Sequence, residues 1–122
     1  MSTIGVGVIG AGLLGDVHAR VYQRLSGIDL IAICDLDEDR ARTVSNKYGV
    51  STHYTNYQAL LNNADIQAVS IATPDFAHAE IAIAAAQAGK HILCEKPLAT
   101  TVEAAQAIVE AAQTAGIKLM ND

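Results

Sequence analysis

The stretch Ile4-Gly5-Val6-Gly7-Val8-Ile9-Gly10-Ala11-Gly12-Leu13-Leu14-Gly15 decides how the rest of the chain is read. Its first half, Ile4 to Ile9, is a short β-rich apolar run, and its second half is a GxGxxG element. Leu13 to Leu25 then reads as a helix, with Gly27 in the position past a helix end that glycine favours. In a strand–turn–helix unit each glycine of the motif has a task. Gly10 permits the tight turn, Gly12 lets the backbone approach a diphosphate, and Gly15 lets the helix pack close to the sheet. The free N–H groups at the helix start, those of Leu13 and Leu14 included, suit an anion. Taken alone, the motif is a weak signal, since a structural glycine turn with no ligand also accounts for it.

Working outward, strand and helix alternate. Leu30 to Cys34 is a second strand, and Asp37 is a plausible N-cap for a helix with Glu38 and Asp39 in its first turn, ending at Gly49. A short strand around Ser51 to His53 and a brief helix near Tyr57 to Asn62 follow. Gln67 to Ala72 reads as a fourth strand. Asp75 is expected to cap an alanine-rich helix running to Gly89, and His91 to Cys94 is a fifth strand. Thr100 and Glu103 fit a capping box for a last helix ending at Gly116, and Ile117 to Met120 is a sixth strand. The strands are near-continuous apolar runs, so both their faces should be covered. Such alternation predicts βαβ units and one doubly wound, six-stranded parallel sheet of order 3-2-1-4-5-6, with helices on both faces.

Within that frame Asp35 gives the glycine motif its context. It stands at the end of the second strand, 20 positions after Gly15. A carboxylate there accepts hydrogen bonds from the adenosine ribose hydroxyls of NAD and repels the extra phosphate of NADP. NAD is therefore the expected cofactor and NADP the less favoured one. Arg40, one turn into the next helix, is the one basic residue close enough to accommodate a 2′-phosphate, but among Asp37, Glu38 and Asp39 it reads rather as an exposed ion-pair partner.

Composition narrows the class. Of the 122 residues 51% are apolar and 17% charged, which describes one globular domain with a real core. The net charge is −5 and the basic residues are scattered, so no stripe exists to track nucleic acid. The N-terminus, Met-Ser-Thr-Ile, leads directly into the first strand and is read without a signal peptide. No apolar run is long enough to span a bilayer. Cys34 and Cys94 end predicted buried strands and read as buried thiols; no metal site is expected, and the cytoplasm is the default compartment.

Two further stretches carry a resemblance. Ser70-Ile71-Ala72-Thr73-Pro74 leads into Asp75-Phe76-Ala77-His78-Ala79-Glu80, and Gly89-Lys90-His91-Ile92-Leu93-Cys94-Glu95-Lys96-Pro97-Leu98 follows. With the glycine turn and His18, these resemble the Gfo/Idh/MocA oxidoreductases, the family of glucose–fructose oxidoreductase and inositol 2-dehydrogenase, over essentially the whole chain. The resemblance implies that Ala72, Thr73 and Pro74 lie beside the cofactor's ribose and diphosphate. It implies that Glu95, Lys96 and Pro97 lie near the nicotinamide, with a Lys96–Pro97 peptide that is often cis. Lys96 is the implied catalytic residue, bonding the nicotinamide ribose and the substrate hydroxyl. His78 is implied at the same face, open to water on one side as Lys96 is, although a helix-start histidine without chemistry fits it as well. His18 reads as packing, and His53 and His91 as structural.

The family also implies a second, C-terminal domain that forms the substrate pocket, and residues 1–122 would then be the dinucleotide-binding domain without it. The expected activity is hydride transfer between NAD and a sugar, polyol or cyclitol hydroxyl, completed only with that second domain. A homo-oligomer is compatible with the sequence, and neither nucleic acid nor a membrane is expected as a partner. The alternatives are a non-catalytic dinucleotide-binding or sensor module, and a Rossmann domain holding S-adenosylmethionine or another nucleotide.

Overall fold

A computed structural model describes residues 3–122. Met1 and Ser2, read above as leading into the first strand, lie outside the described residues. Six strands form one all-parallel sheet: β1 (Ile4–Ile9), β2 (Ile28–Cys34), β3 (Thr52–Tyr54), β4 (Ala68–Ile71), β5 (His91–Cys94) and β6 (Leu119–Asn121). Their order across the sheet is β3-β2-β1-β4-β5-β6. The helices between them are α1 (Leu13–Arg24), α2 (Glu38–Lys47), α3 (Tyr57–Leu61), α4 (His78–Gln87) and α5 (Val102–Ala115).

The pleat explains the two-sided core. Val8 and Ile33 point to the face covered by α1 and α2, where Ala19, Val44, Tyr48 and Val50 close over them. Their neighbours Ile9, Ala32 and Cys34 point the other way, into a larger cluster with Leu60, Ile81, Ala85 and Ile108 of α3, α4 and α5. Alternate residues of one apolar strand thus feed opposite cores, which is why these strands show no polar face. A fully buried Ile33 or Ile108 contributes roughly 1.5–3 kcal/mol through the hydrophobic effect.

Several local expectations are corrected. Strand β2 begins at Ile28, because Ile28 and Asp29 already pair with Ile4 and Gly5. The edge strands β3 and β6 sit one and two residues later than predicted at their starts, set by pairing to β2 and β5. Helix α1 closes at Leu25, so Gly27, with φ +83°, shapes the following turn and is not the residue just past the cap. Asp37 does cap α2, its side chain accepting from the Asp39 and Arg40 amides. Asp75 caps nothing: it opens a 3-10 turn over Asp75–Ala77, and α4 starts at His78 with no side-chain cap. The cap of α5 is Thr101, whose hydroxyl accepts from the Ala104 amide at 3.0 Å, and not Thr100.

Candidate functional site

The strand order reverses direction at β1: the chain leaves β1 toward β2 and later returns to its other side as β4. At such a switch point the loops leaving the carboxyl ends of the strands part and open a crevice. Here Ile9 of β1 lies beside Ile71 of β4, and the loops that follow them wall a crevice of about 580 Å³. Gly10 makes the turn at φ +105°, and a Cβ on it would lie 2.6 Å from the Ala72 carbonyl oxygen. A Cβ on Gly15 would overlap the Gly10 carbonyl oxygen, so the helix can approach the strand only without one. Gly12 differs from both. It is the N-cap of α1, no side chain caps the helix, and a Cβ there would meet nothing within 4 Å. The protein's own packing does not need Gly12. Its bareness leaves uncapped amides facing open space, as a bound diphosphate requires.

Asp35 lines the crevice and is largely buried. One carboxylate oxygen accepts from the Ala11 amide at 2.8 Å. The other accepts from the Asp37 amide at 2.8 Å and from Arg40 Nη2 at 3.2 Å. Two fixed amides and one movable guanidinium leave acceptor capacity toward the crevice. Arg40 is an exposed ion-pair partner, as expected: its side chain is 60% exposed and its partner is Asp35, while Arg42 pairs with Glu38 and Asp39.

Ala72, Thr73 and Pro74 form the opposite wall. The Thr73 hydroxyl is buried without a hydrogen-bond partner, a donor left over beside the crevice. His78 is placed otherwise than expected. It is only 1% exposed, so it is not open to water. Its Nδ1 lies 2.8 Å from the Pro97 carbonyl oxygen and its Nε2 lies 2.9 Å from that of Thr73. Each nitrogen faces a carbonyl, and a neutral ring, with a single N–H, donates to one of the two at a time. His78 ties the loop after β4 to the loop after β5.

Beyond β5 the Lys96–Pro97 peptide is cis, and both residues are exposed. Glu95 is buried and accepts His18 Nε2 at 2.7 Å. Asn121 of β6 donates to the Cys94 and Glu95 carbonyls at 3.0 and 3.4 Å, holding the same loop. The His18–Glu95 contact went unread in the sequence, although a signal existed. Gly15, His18, Ala19 and Tyr22 share one helical face, and that face turns to the sheet. Lys90 of the second motif is also more than a surface residue. Its buried ammonium donates to the carbonyls of Ile66 at 2.6 Å and Asn63 at 3.1 Å, at the amino ends of β4 and β5, and burial draws its pKa down.

Other chemistries find little here. Both cysteines are free and buried. Burial, then the adjacent Asp35 charge, raises the Cys34 thiol to about 12; burial, then Glu95, raises Cys94 to about 11. Neither is a thiolate nucleophile at neutral pH. Among the described residues no cluster could hold a metal ion, and no helix is long and apolar enough to cross a membrane.

A doubly wound sheet with a glycine turn, a bare helix start and a carboxylate after β2 defines a dinucleotide-binding Rossmann domain. The chain belongs to the Gfo/Idh/MocA oxidoreductases: the family with an NAD-binding Rossmann fold matches residues 4–122. It is 42% identical over 120 residues to the inositol 2-dehydrogenase/D-chiro-inositol 3-dehydrogenase of Shouchella clausii, covering 97% of this chain and 35% of that protein. It is 36% identical over 120 residues to the inositol 2-dehydrogenase of Salmonella typhimurium, covering 97% of this chain and 36% of that one. The crystal structure of myo-inositol 2-dehydrogenase from Lactobacillus plantarum superposes with a TM-score of 0.92 at 30% identity, over 99% of this chain and 36% of that one. The chain thus spans about a third of the length of the relatives it matches.

Proposed function

We propose that this domain binds NAD in preference to NADP and serves a dehydrogenase that oxidises a CH–OH group of a cyclitol, sugar or polyol. The observation that carries the reading is the pairing of a bare α1 start at Gly12 with the Asp35 carboxylate across one crevice. The diphosphate would take the free amides of α1, and the adenosine ribose would take the remaining acceptor capacity of Asp35. Bound NAD supplies the hydride acceptor. On this chain Lys96, exposed at the end of β5, would donate a hydrogen bond to the substrate hydroxyl and help manage its proton. The thiols of Cys34 and Cys94, free and buried, suit a reducing compartment such as the cytoplasm. The names of the relatives favour a cyclitol as substrate.

The side of Lys96 away from the sheet is open, so a second domain is proposed to close it and hold the substrate. Binding without useful turnover is expected of residues 1–122. General acid–base groups and positioning each contribute orders of magnitude, about 10²–10⁴-fold for the former. The test is calorimetry with NAD and NADP, followed by NADH formation over a panel of inositols and sugars. The panel is run on this chain and on one continued through the sequence that follows Asp122 in its gene. Equal affinity for the two dinucleotides would reject the Asp35 argument. Comparable turnover from the two chains would show that the first 122 residues hold a complete site.

A further inference from the structure

The crevice has a second group of lining residues besides the glycine turn and Asp35. Leu36, directly after Asp35, is 91% exposed, and Phe76, in the 3-10 turn after β4, is 77% exposed. Both side chains line the crevice, and Phe76 is the one phenylalanine of the chain. Neither belongs to the two core clusters. The fold therefore gains little from either, and both leave apolar surface in water.

The topology shows where this group lies. The Asp35 amide donates to the Tyr54 carbonyl at 3.1 Å, which sets the segment after β3 alongside Asp35. Since β3 lies beyond β2 from β1, the lining reaches past Asp35 on the side away from the glycine turn. Tyr57 opens α3 there and packs on the larger core, as do Ala77 and Ile81 at the start of α4. All three also line the crevice, so this part has an apolar floor. Glu80 comes from the same face of α4 and is the second carboxylate of the crevice after Asp35. It stands beside Tyr57, whose phenol is raised by burial and then by the Glu80 charge. Arg40, the one cation lining the crevice, is paired with Asp35 and not with Glu80.

What would occupy this part follows from the dinucleotide reading above, on which the inference rests. With the diphosphate at the start of α1 and ribose hydroxyls at Asp35, the base on that ribose extends past Asp35, away from the diphosphate. A purine is flat, apolar on both faces and polar at its edge. Apolar side chains suit the faces, with Phe76 able to stack. A carboxylate only accepts hydrogen bonds, so it suits an edge that donates. Adenine offers the exocyclic amino group on its six-membered ring. Hypoxanthine carries a carbonyl oxygen at that carbon, which a carboxylate repels.

We propose that this part of the crevice is a base site selective for a 6-aminopurine, with Leu36 and Phe76 holding the ring and Glu80 accepting a hydrogen bond from its amino group. Two carboxylates then make two separate choices: Asp35 reads the ribose and Glu80 reads the base. A site that hydrogen-bonds an N–H of its ligand rejects the analogue lacking it. Glu80 is exposed, so water moderates that rejection.

The test measures dissociation constants of NAD and of nicotinamide hypoxanthine dinucleotide on this chain by calorimetry. The two ligands differ only at that edge of the purine. NAD should bind about five- to thirtyfold more tightly, the size of one hydrogen bond to a charged group in partial contact with water. Glu80→Gln offers both an acceptor and a donor, so the preference should fall to within about twofold. Phe76→Ala should weaken both dinucleotides by about fivefold or more and keep the ratio between them. Both positions are exposed, so the variants should melt as the unaltered chain does. Equal affinity of the unaltered chain for the two dinucleotides overturns the proposal, and that measurement depends on no variant. A preference that survives intact in Glu80→Gln overturns it too, as does a Phe76→Ala protein that binds both ligands undiminished. Failure of both dinucleotides to bind would reject the dinucleotide reading itself.

Discussion

The two halves of the sheet present their site residues differently. On the β1–β3 half the polar groups are already held: Asp35 grips the Ala11 and Asp37 amides, and Gly10 N–H donates to the Cys34 carbonyl at 2.8 Å. On the β4–β6 half the supports are buried, while Lys96 itself reaches into solvent with Pro97 beside it. On the function proposed above, the first half would recognise a nucleoside by itself. The second is anchored from below and exposed above at Lys96 and Pro97. On that function, recognition and reaction would separate along the switch point, and that separation is open to attack.

The harshest challenge is Gly15→Val. A Cβ overlapping the Gly10 carbonyl oxygen must push α1 off β1, and a branched side chain adds bulk. The expected cost is about 3 kcal/mol or more, read as a lost or much lowered melting transition together with lost NAD binding. Next comes Asp35→Asn. The amide keeps one acceptor and turns an N–H toward a backbone donor, so affinity for NAD should fall by about 1–3 kcal/mol. Discrimination against NADP should narrow with it. Calorimetry with both dinucleotides separates these effects, and an unchanged preference would mean that Asp35 serves only the loop.

A smaller effect is expected at Asp16, which ties α1 to the α2 region. The Tyr48 hydroxyl, partly opposed by burial and helped by Lys47, holds its carboxyl below the ordinary range. A carboxylate depressed by folding stabilises the fold above its unfolded pKa, near 4, and loses that contribution as pH falls through the folded value. Asp16→Asn should thus lower the melting temperature slightly at pH 7, with the gap to the unaltered protein closing below about pH 4. The smallest effect belongs to the open half. Lys96→Ala should leave dinucleotide affinity on this chain within about twofold, since an exposed ammonium contributes little. ADP-ribose should bind almost as well as NAD. A large loss in either titration would show that the β4–β6 half already recognises the second nucleoside.

Most of the frame was legible from the order of apolar runs, because buried parallel strands need them and crossover helices must come between. The glycine turn and Asp35 were legible because their spacing has a mechanical meaning. What escaped reading depends on contacts distant in sequence. Thr100 and Thr101 offer the same hydroxyl, and only the helix start decides that Thr101 reaches the Ala104 amide. Asp75 resembles a cap, but the tight turn after Pro74 delays the helix to His78. The edge strands borrow their bounds from single neighbours. Arg40 could have answered any of four nearby carboxylates, and the partner is the buried one. His18 and Glu95 meet only because α1 lies across strands joined much later in the chain.

The His78 tie has a mechanical consequence. The imidazole ring sits between the Thr73 and Pro97 loops, 2.9 and 2.8 Å from a carbonyl oxygen of each, so the two rims are expected to move as one jaw. A ligand that stills the Thr73 rim should still the Pro97 rim with it, so that part of the ordering entropy of both rims is met in one step.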